Sequence, residues 1–380
     1  MKLLYITNIP APYRQKRFNT MSRIFPEYGI DFEVLYMAKI EPNRQWEISA
    51  DSYNYNYKIF KGIHPTIGGF FAHFNPGLLF RLLKNDYDIA VVGGMASPTH
   101  WLAPFFISRK KFKIMSVESN LFSVTRKNGF GAWIKSALLN TADAYQVTGQ
   151  PQIDYIHYFQ PKAAKKSYIH LPNLIDDEVF TKQVDELRKN VDNLRSEFGV
   201  SPDEQMWVLP ARLIEIKGII PFIEALVGLK GFRLFILGDG EQFVQIKSIV
   251  EKNNLPVTLV GFVQQNEVIR YYAAADLFVL PSFKDPSPLS PIEASAAALP
   301  LFVSTNIGNI NEVLGNENGW SFEPGNIEEI KKLAGKVLSL SRNELKAKGE
   351  ASRKRYQEVF ETETCIRNYA KQILNSVKND

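Results

Sequence analysis

Short apolar runs of strand length alternate with helical stretches along this chain, and the alternation starts twice. KLLYIT (2–7), FEVLYM (32–37), DIAVV (88–92), KIMSV (113–117) and AYQVT (144–148) form the first set. MWVLPA (206–211), FRLFILG (232–238), VTLVG (257–261), DLFVLPS (276–282) and PLFVST (300–305) form the second. Apolar runs this short are the length of buried strands. Strand and helix in alternation specify parallel sheets with helices on their faces. The expected fold class is therefore α/β, with two doubly wound, Rossmann-like parallel-sheet domains. Such sheets bind ligands outside the carboxyl ends of their strands. Two in tandem predict an interdomain cleft, with site residues on the loops that follow strands.

The expected boundaries are 1–175 for the first domain, 176–204 for a connecting segment whose start falls within LPNLIDDEVF (171–180), and 205–358 for the second domain. A helical tail without strand signals closes the chain. At 380 residues, 45% hydrophobic and 22% charged, the composition is that of a soluble globular protein. The single cysteine, Cys365, rules out an intramolecular disulfide and a Cys-rich zinc site and fits a reducing compartment. No run approaches the roughly 20 apolar residues of a membrane span, and MKLLYITNIPAPYR has too short an apolar run for a signal peptide. A cytoplasmic location is expected.

Charge is divided unevenly. Residues 1–175 hold 21 Lys and Arg against 11 Asp and Glu, and all five histidines; the remainder holds 24 against 29. The basic part suits an anionic partner: nucleic acid, an anionic membrane or a phosphorylated substrate. Nucleic acid is disfavoured, because no helix-turn-helix, RNP or zinc signature is present. A dinucleotide site of the G-x-G-x-x-G type is disfavoured too, since TNIPAP after the first strand has no glycine. FFISRKKFK (105–113) and GGFFAHF (68–74) mix cations with phenylalanine, as a peripheral contact with an anionic membrane would; a solvated loop with its phenylalanines in the core has the same pattern.

Several loops after strands carry chemistry. ARLIEIKG (211–218) offers Arg212 and Lys217 beside a helix start, suited to a diphosphate, which Arg can fork and Lys can meet as a point charge. Two solvated cations flanking a turn would look the same. DPSPLSPIEA (285–294) sets Asp285 in a proline-rich loop and Glu293 in the first turn of the next helix; carboxylates there suit hydroxyl-rich ligands, or complement a helix dipole. Gly238 and Gly240 in LGDGEQ permit close backbone approach to a ligand. The backbone of GFVQQ (261–265), around Val263, can meet a nucleobase edge or be a plain connection.

In this order, with NENGWSFEPGN (316–326), these motifs resemble family 4 of the retaining, nucleotide-sugar-dependent glycosyltransferases of GT-B fold. The resemblance implies a sugar transferred with retention from a nucleoside-diphosphate donor, UDP- or GDP-linked, to a glycan or lipid-linked acceptor. It implies a hexosyl or N-acetylhexosaminyl group and a role in cell-surface polysaccharide biosynthesis. It implies no cofactor or metal, a donor on the second domain, an acceptor on the first, and a last helix (359–380) packed back on the first domain. Arg212 and Lys217 match the pair that holds the donor diphosphate. Glu293 matches the acid that grips ribose, and Asp285 the acid that reaches the transferred sugar. Leu289 matches a backbone N–H donor. Asp285 stands where the family usually has Glu, and Pro288 where it favours Gly, which removes one N–H. Glu118, in VESN, stands where the family often has His; a carboxylate there can take a proton or steady developing positive charge, or orient acceptor hydroxyls. Arg14 and His100 are the other acceptor-side candidates, Arg14 for an acceptor phosphate. A nucleotide-sugar epimerase of GT-B fold and a non-catalytic nucleotide-sugar binder are the alternatives.

Overall fold

Residues 1–41, 53–67, 70–121, 128–175 and 177–378 are described by a computed structural model. The chain divides into two units, Met1–Leu174 with Thr362–Asp380, and Ile175–Glu361.

In the first unit the order is β1 (Lys2–Thr7), α1 (Pro12–Ile24), β2 (Asp31–Tyr36), β3 (Asn56–Ile59), a ribbon of β4 (Thr66–Ile67) and β5 (Phe70–Phe71), α2 (Pro76–Leu82), β6 (Ile89–Val92), α3 (Pro98–Phe106), β7 (Phe112–Val117), α4 (Phe130–Asn140), β8 (Ala144–Val147), α5 (Gln150–Phe159) and β9 (Ser167–His170). Proline opens α1, α2, α3 and α5, where its missing N–H costs nothing and its fixed φ suits a first turn. The seven-stranded sheet runs β3-β2-β1-β6-β7-β8-β9, with every pair parallel. Register places Ile6, Val92, Met115 and Tyr145 in one row. Residues of this face bury α2 and α3 through Leu78, Leu82 and Ala103, and α4 and α5 through Leu139 and Ile156. The opposite face, including Leu3, Tyr5, Val91 and Ile114, packs on Phe18 and Met21 of α1 and on the C-terminal helix (Thr362–Lys378) through Ile366, Tyr369 and Ile373. Tyr369 donates to Gln146 Oε1 at 2.5 Å, and Gln146 Nε2 donates to Tyr5 Oη at 3.1 Å and Ser116 Oγ at 2.9 Å, all buried.

The second unit contains α6 (Asp177–Arg188), α7 (Val191–Glu197), β10 (Gln205–Pro210), α8 (Ile219–Ala225), β11 (Phe232–Leu237), α9 (Phe243–Lys252), β12 (Val257–Gly261), α10 (Gln265–Ala274), β13 (Leu277–Leu280), α11 (Ser290–Ala296), β14 (Leu301–Ser304), α12 (Ile310–Val313), β15 (Gly319–Phe322), α13 (Ile327–Leu338) and α14 (Arg342–Val359). Its parallel sheet runs β12-β11-β10-β13-β14-β15. Trp207, Leu234 and Val279 face α8 and α13; Val208, Phe235 and Phe278 face α6, α10 and α11. Residues read as a connection are an integral layer of this unit. Phe180, Val184 and Leu194 enter its core, and buried Arg195 donates to Ala274 O, Glu204 O and the Asp276 carboxylate.

Of the described strands not expected from the sequence, β3, β9 and β15 lie at edges of the two large sheets, and β4 and β5 form the short ribbon. All four residues of β3 are exposed, so no apolar run marks it. Among the described residues, no helix is long and apolar enough to cross a membrane.

Tyr369→Phe removes the donor to Gln146 Oε1 while keeping the ring. It should cost about 1–3 kcal/mol, the penalty of an unsatisfied buried acceptor, read as a lower urea midpoint at unchanged slope.

Candidate functional site

Each sheet reverses its strand order once. In the first unit the chain proceeds from β1 to β2 on one side and from β6 to β7 on the other; in the second unit the same split falls between β10 and β13. The loops leaving such neighbours diverge and leave a crevice at the carboxyl ends. Both groups of candidate residues sit on these loops.

In the second unit, β10 leads through a 3₁₀ turn, Glu215–Lys217, to Gly218, whose φ of +63° caps α8. A Cβ on Gly218 would lie 2.3 Å from Pro281 O, so only glycine lets this loop touch the one after β13. Lys284 N–H donates to Ile216 O at 3.4 Å, and Lys217 Nζ is paired with the Asp285 carboxylate. Both side chains are largely buried. Asp285 is held on its other side by the backbone of Asn306, Ile307 and Gly308. Two oppositely charged groups on separate loops thus meet where the strand order reverses.

Glu293 lies in the first turn of α11, and its Oε2 accepts from Tyr272 Oη at 3.0 Å. Burial pushes the carboxyl up from its ordinary value, with the Tyr272 hydrogen bond pulling it back in part. Burial beside Glu293 likewise raises the Tyr272 phenol. Tyr272 is fully buried on α10 and fixes where Glu293 points. It was not a sequence candidate, because nothing in RYYAAADLF distinguishes it from a core aromatic.

Arg212 is exposed and takes no part in a hydrogen bond or ion pair of its side chain among the described residues. Leu289 has helical φ and ψ before α11, with its carbonyl accepting from Ile292 and Glu293. Pro288 O accepts from Asn309 Nδ2 at 3.0 Å. Val263 is half-buried against the core. Gly238 and Gly240 do serve a close approach, but to the chain's own loop: added Cβ atoms would lie 2.0 Å from Ala211 O and 2.5 Å from Leu213 O. They seat the segment that carries Arg212.

In the first unit a cavity of about 700 Å³ opens at the β1/β6 reversal. Asn8 and Arg14 follow β1, Glu41 follows β2, Gly93 to Ser97 follow β6, and Glu118 follows β7. Arg14 is buried, donating to Thr7 Oγ1 at 2.6 Å, Asn8 Oδ1 at 3.1 Å and Glu118 Oε1 at 2.8 Å. A guanidinium so engaged orients Glu118, which is 56% exposed at the mouth, more readily than it receives a phosphate. His100 is 4% exposed, and among the described residues neither of its ring nitrogens has a hydrogen-bond partner. Burial, then the nearby His73 and Arg14, push its pKa down to about 3, so the ring is neutral. The segment 68–74 lies partly outside the described residues. Within it, Phe71 and His73 line the cavity and Phe74 packs on the core, as the alternative reading of its phenylalanines has it.

Residues 190–355, all within the second unit, match the family model described as glycosyl transferases group 1. The N-acetyl-alpha-D-glucosaminyl L-malate synthase of Bacillus anthracis is 25% identical over 215 residues, 55% of this chain and 54% of that protein. The amylovoran biosynthesis glycosyltransferase AmsK of Erwinia amylovora is 35% identical over 146 residues, 35% of each. The chain thus spans from about a third to about half of these relatives' length. Anabaena HepE, solved in complex with UDP, superposes with a TM-score of 0.70 at 16% identity and complete coverage of both chains. The sucrose-phosphate synthase of Thermosynechococcus elongatus gives 0.69 at 16%, again over both whole chains. The fold is GT-B, built from two Rossmann-like α/β domains.

Gly238→Ala forces a Cβ onto Ala211 O in a conformation with φ of +147°. Thermal unfolding should fall by several degrees, and the loss should exceed that of Gly335→Ala, where a Cβ meets nothing within 4 Å.

Proposed function

We propose that this chain is a glycosyltransferase that moves a hexosyl or N-acetylhexosaminyl group, with retention, from a UDP- or GDP-linked donor to a glycan or lipid-linked acceptor in cell-surface polysaccharide synthesis. The observation that carries the reading is the Lys217–Asp285 pair at the strand-order reversal of the unit that matches the group 1 glycosyl transferase model. A donor diphosphate entering beside Lys217 competes with Asp285 for its ammonium. The displaced carboxylate then turns to hydroxyls of the donor sugar. Arg212, with no side-chain partner among the described residues, and the Leu289 N–H add to the cationic side. Glu293, aimed by Tyr272, takes the ribose hydroxyls.

In this reading Lys217, Arg212 and backbone N–H groups offset the charge that develops on the leaving diphosphate, and no metal has that role. The first-unit cavity receives the acceptor, with Glu118 at its mouth and His100 on its wall. AmsK, a relative named for amylovoran biosynthesis, and HepE, solved with UDP, support the polysaccharide role and the UDP option.

Lys217→Ala should lower turnover by about 10²–10³-fold, as loss of one preorganised cationic donor does, with turnover insensitive to EDTA and the melting temperature lowered, because the largely buried Asp285 loses its partner. Acceptor-dependent release of nucleotide from a UDP- or GDP-sugar panel is the assay. Equilibration of the donor sugar without acceptor would instead mark an epimerase, and binding without turnover a sensor.

The same reading puts the protein at the cytoplasmic face of an anionic membrane. On the helical layer of the first unit, Trp101 (41%), Phe105 (67%) and Trp133 (65%) are exposed, and exposed Arg109 and Lys110 follow α3. Aromatic rings and cations together suit an interfacial contact. Affinity for anionic vesicles in sedimentation should drop about thirtyfold or more in Phe105→Ala/Trp133→Ala, at roughly 1 kcal/mol or more lost per ring, while neutral vesicles bind neither protein.

A further inference from the structure

The cavity of the first unit holds a chain of hydrogen bonds whose protons can be assigned. Glu41 accepts from Asn8 Nδ2 at 2.9 Å and lies 3.0 Å from His73 Nε2; His73 Nδ1 lies 2.9 Å from His64 Nδ1. An ionised carboxylate only accepts, so His73 Nε2 carries the hydrogen. With a single hydrogen on its ring, at Nε2, His73 has its lone pair on Nδ1 and His64 donates there. Two nitrogens facing each other at 2.9 Å share one proton, so the two rings together bear no more than one positive charge. His73 is 2% exposed, and His64 is exposed. The chain thus runs from solvent to a carboxylate on the cavity wall and fixes that carboxylate from behind.

The lining has no excess of charge to attract an anion. Glu41 and Glu118 stand against Arg14 and Lys135. Arg14 is engaged with Thr7, Asn8 and Glu118. Lys135 sits over the Phe159 ring at 4.9 Å. What remains to meet a ligand is polar and formally neutral. His100, 96% out of solvent by its 4% exposure, has both nitrogens without a partner. A neutral imidazole offers one donor and one acceptor, the complement of a hydroxyl. A carboxylate accepts several hydrogen bonds, which lets a group already held by Asn8 and His73 take a ligand hydroxyl as well.

We infer that this cavity binds the hydroxyls of an uncharged sugar unit, with Glu41 and His100 as its contacts and His73, backed by His64, as the positioning residue for Glu41. This rests on the acceptor reading of the cavity and narrows it, against the expectation that Arg14 takes an acceptor phosphate. Glu41 and His73 are 32 positions apart in the chain, and neither was a sequence candidate.

The test uses the full chain, with methyl gluco-, galacto- and mannopyranosides as neutral probes, glucose 6-phosphate as the charged probe, and UDP as a probe of the second unit. Long-range ¹⁵N–¹H spectra of the histidines should show His64 protonated on Nδ1 and His73 on Nε2. At least one neutral glycoside should shift the His73 and His100 signals with a saturable curve, and glucose 6-phosphate should bind at least about tenfold more weakly. Glu41→Gln and His73→Leu should each weaken the glycoside about tenfold. His73→Gln, whose amide restores an N–H to Glu41, should stay within about threefold of the parent. UDP affinity should be the same in all four proteins. The inference is overturned if no neutral glycoside saturates, if the phosphorylated sugar binds more tightly, if His73→Gln is as weak as His73→Leu, or if UDP affinity falls in parallel. Failure of the transferase reading looks different: nucleotide sugars would give no transfer while glycosides still occupy the cavity.

Discussion

Parallel pairing of one strand with two neighbours that the chain reaches in opposite directions is the constraint on which both units depend. β1 is hydrogen-bonded to β2 and to β6, and β10 to β11 and to β13. A strand so placed sends the chain away in one direction and receives it again from the other. No crossover helix can lie over its carboxyl end, because the helices leave to either side. The backbone groups and side chains there are left without the packing that consumes them elsewhere in the sheet. Lys217 and Asp285 are drawn from one such place, and Asn8, Arg14, Glu41 and Glu118 from the other.

Charge at the two places is handled in one manner. Lys217 is matched by Asp285, and Arg14 by Glu118. Partly buried ions left single would be costly, and pairing offsets much of that cost. It also sets what a ligand must supply. A ligand at the second-unit site has to replace a carboxylate, which a diphosphate can do. At the first-unit cavity, matched charges and the unpartnered His100 favour a ligand that brings hydrogen bonds without charge. The excess of lysine and arginine over residues 1–175 therefore belongs to other surfaces of that unit.

Much of this was legible in the sequence. Central strands announce themselves because both faces are buried: β6 and β13 are unbroken apolar runs, and β1, β7 and β10 are mostly apolar. Among the edge strands β12 is legible as VTLVG, but β3 buries nothing and β15 is only GWSF. Arg212, Lys217, Asp285 and Glu293 could be picked out because chemistry and loop position coincide within short segments. Tyr272, Glu41 and His73 could not. Each gains its role from a partner 21 or more positions away, which only folding brings near. Gly238 and Gly240 were noticed for the right property and the wrong neighbour, since it is the backbone of Ala211 and Leu213 that comes close.

The C-terminal helix lies in the core of the unit that the N-terminus begins. Ile366, Tyr369 and Ile373 complete a layer started by Leu3 and Tyr5. During synthesis on the ribosome, the second unit has all its strands available before that layer can close. The earlier-made unit must wait with one apolar face uncovered until the final segment emerges. The order of manufacture and the order of completion are therefore reversed, and the exposed interval lengthens with every residue inserted between Leu174 and Thr362.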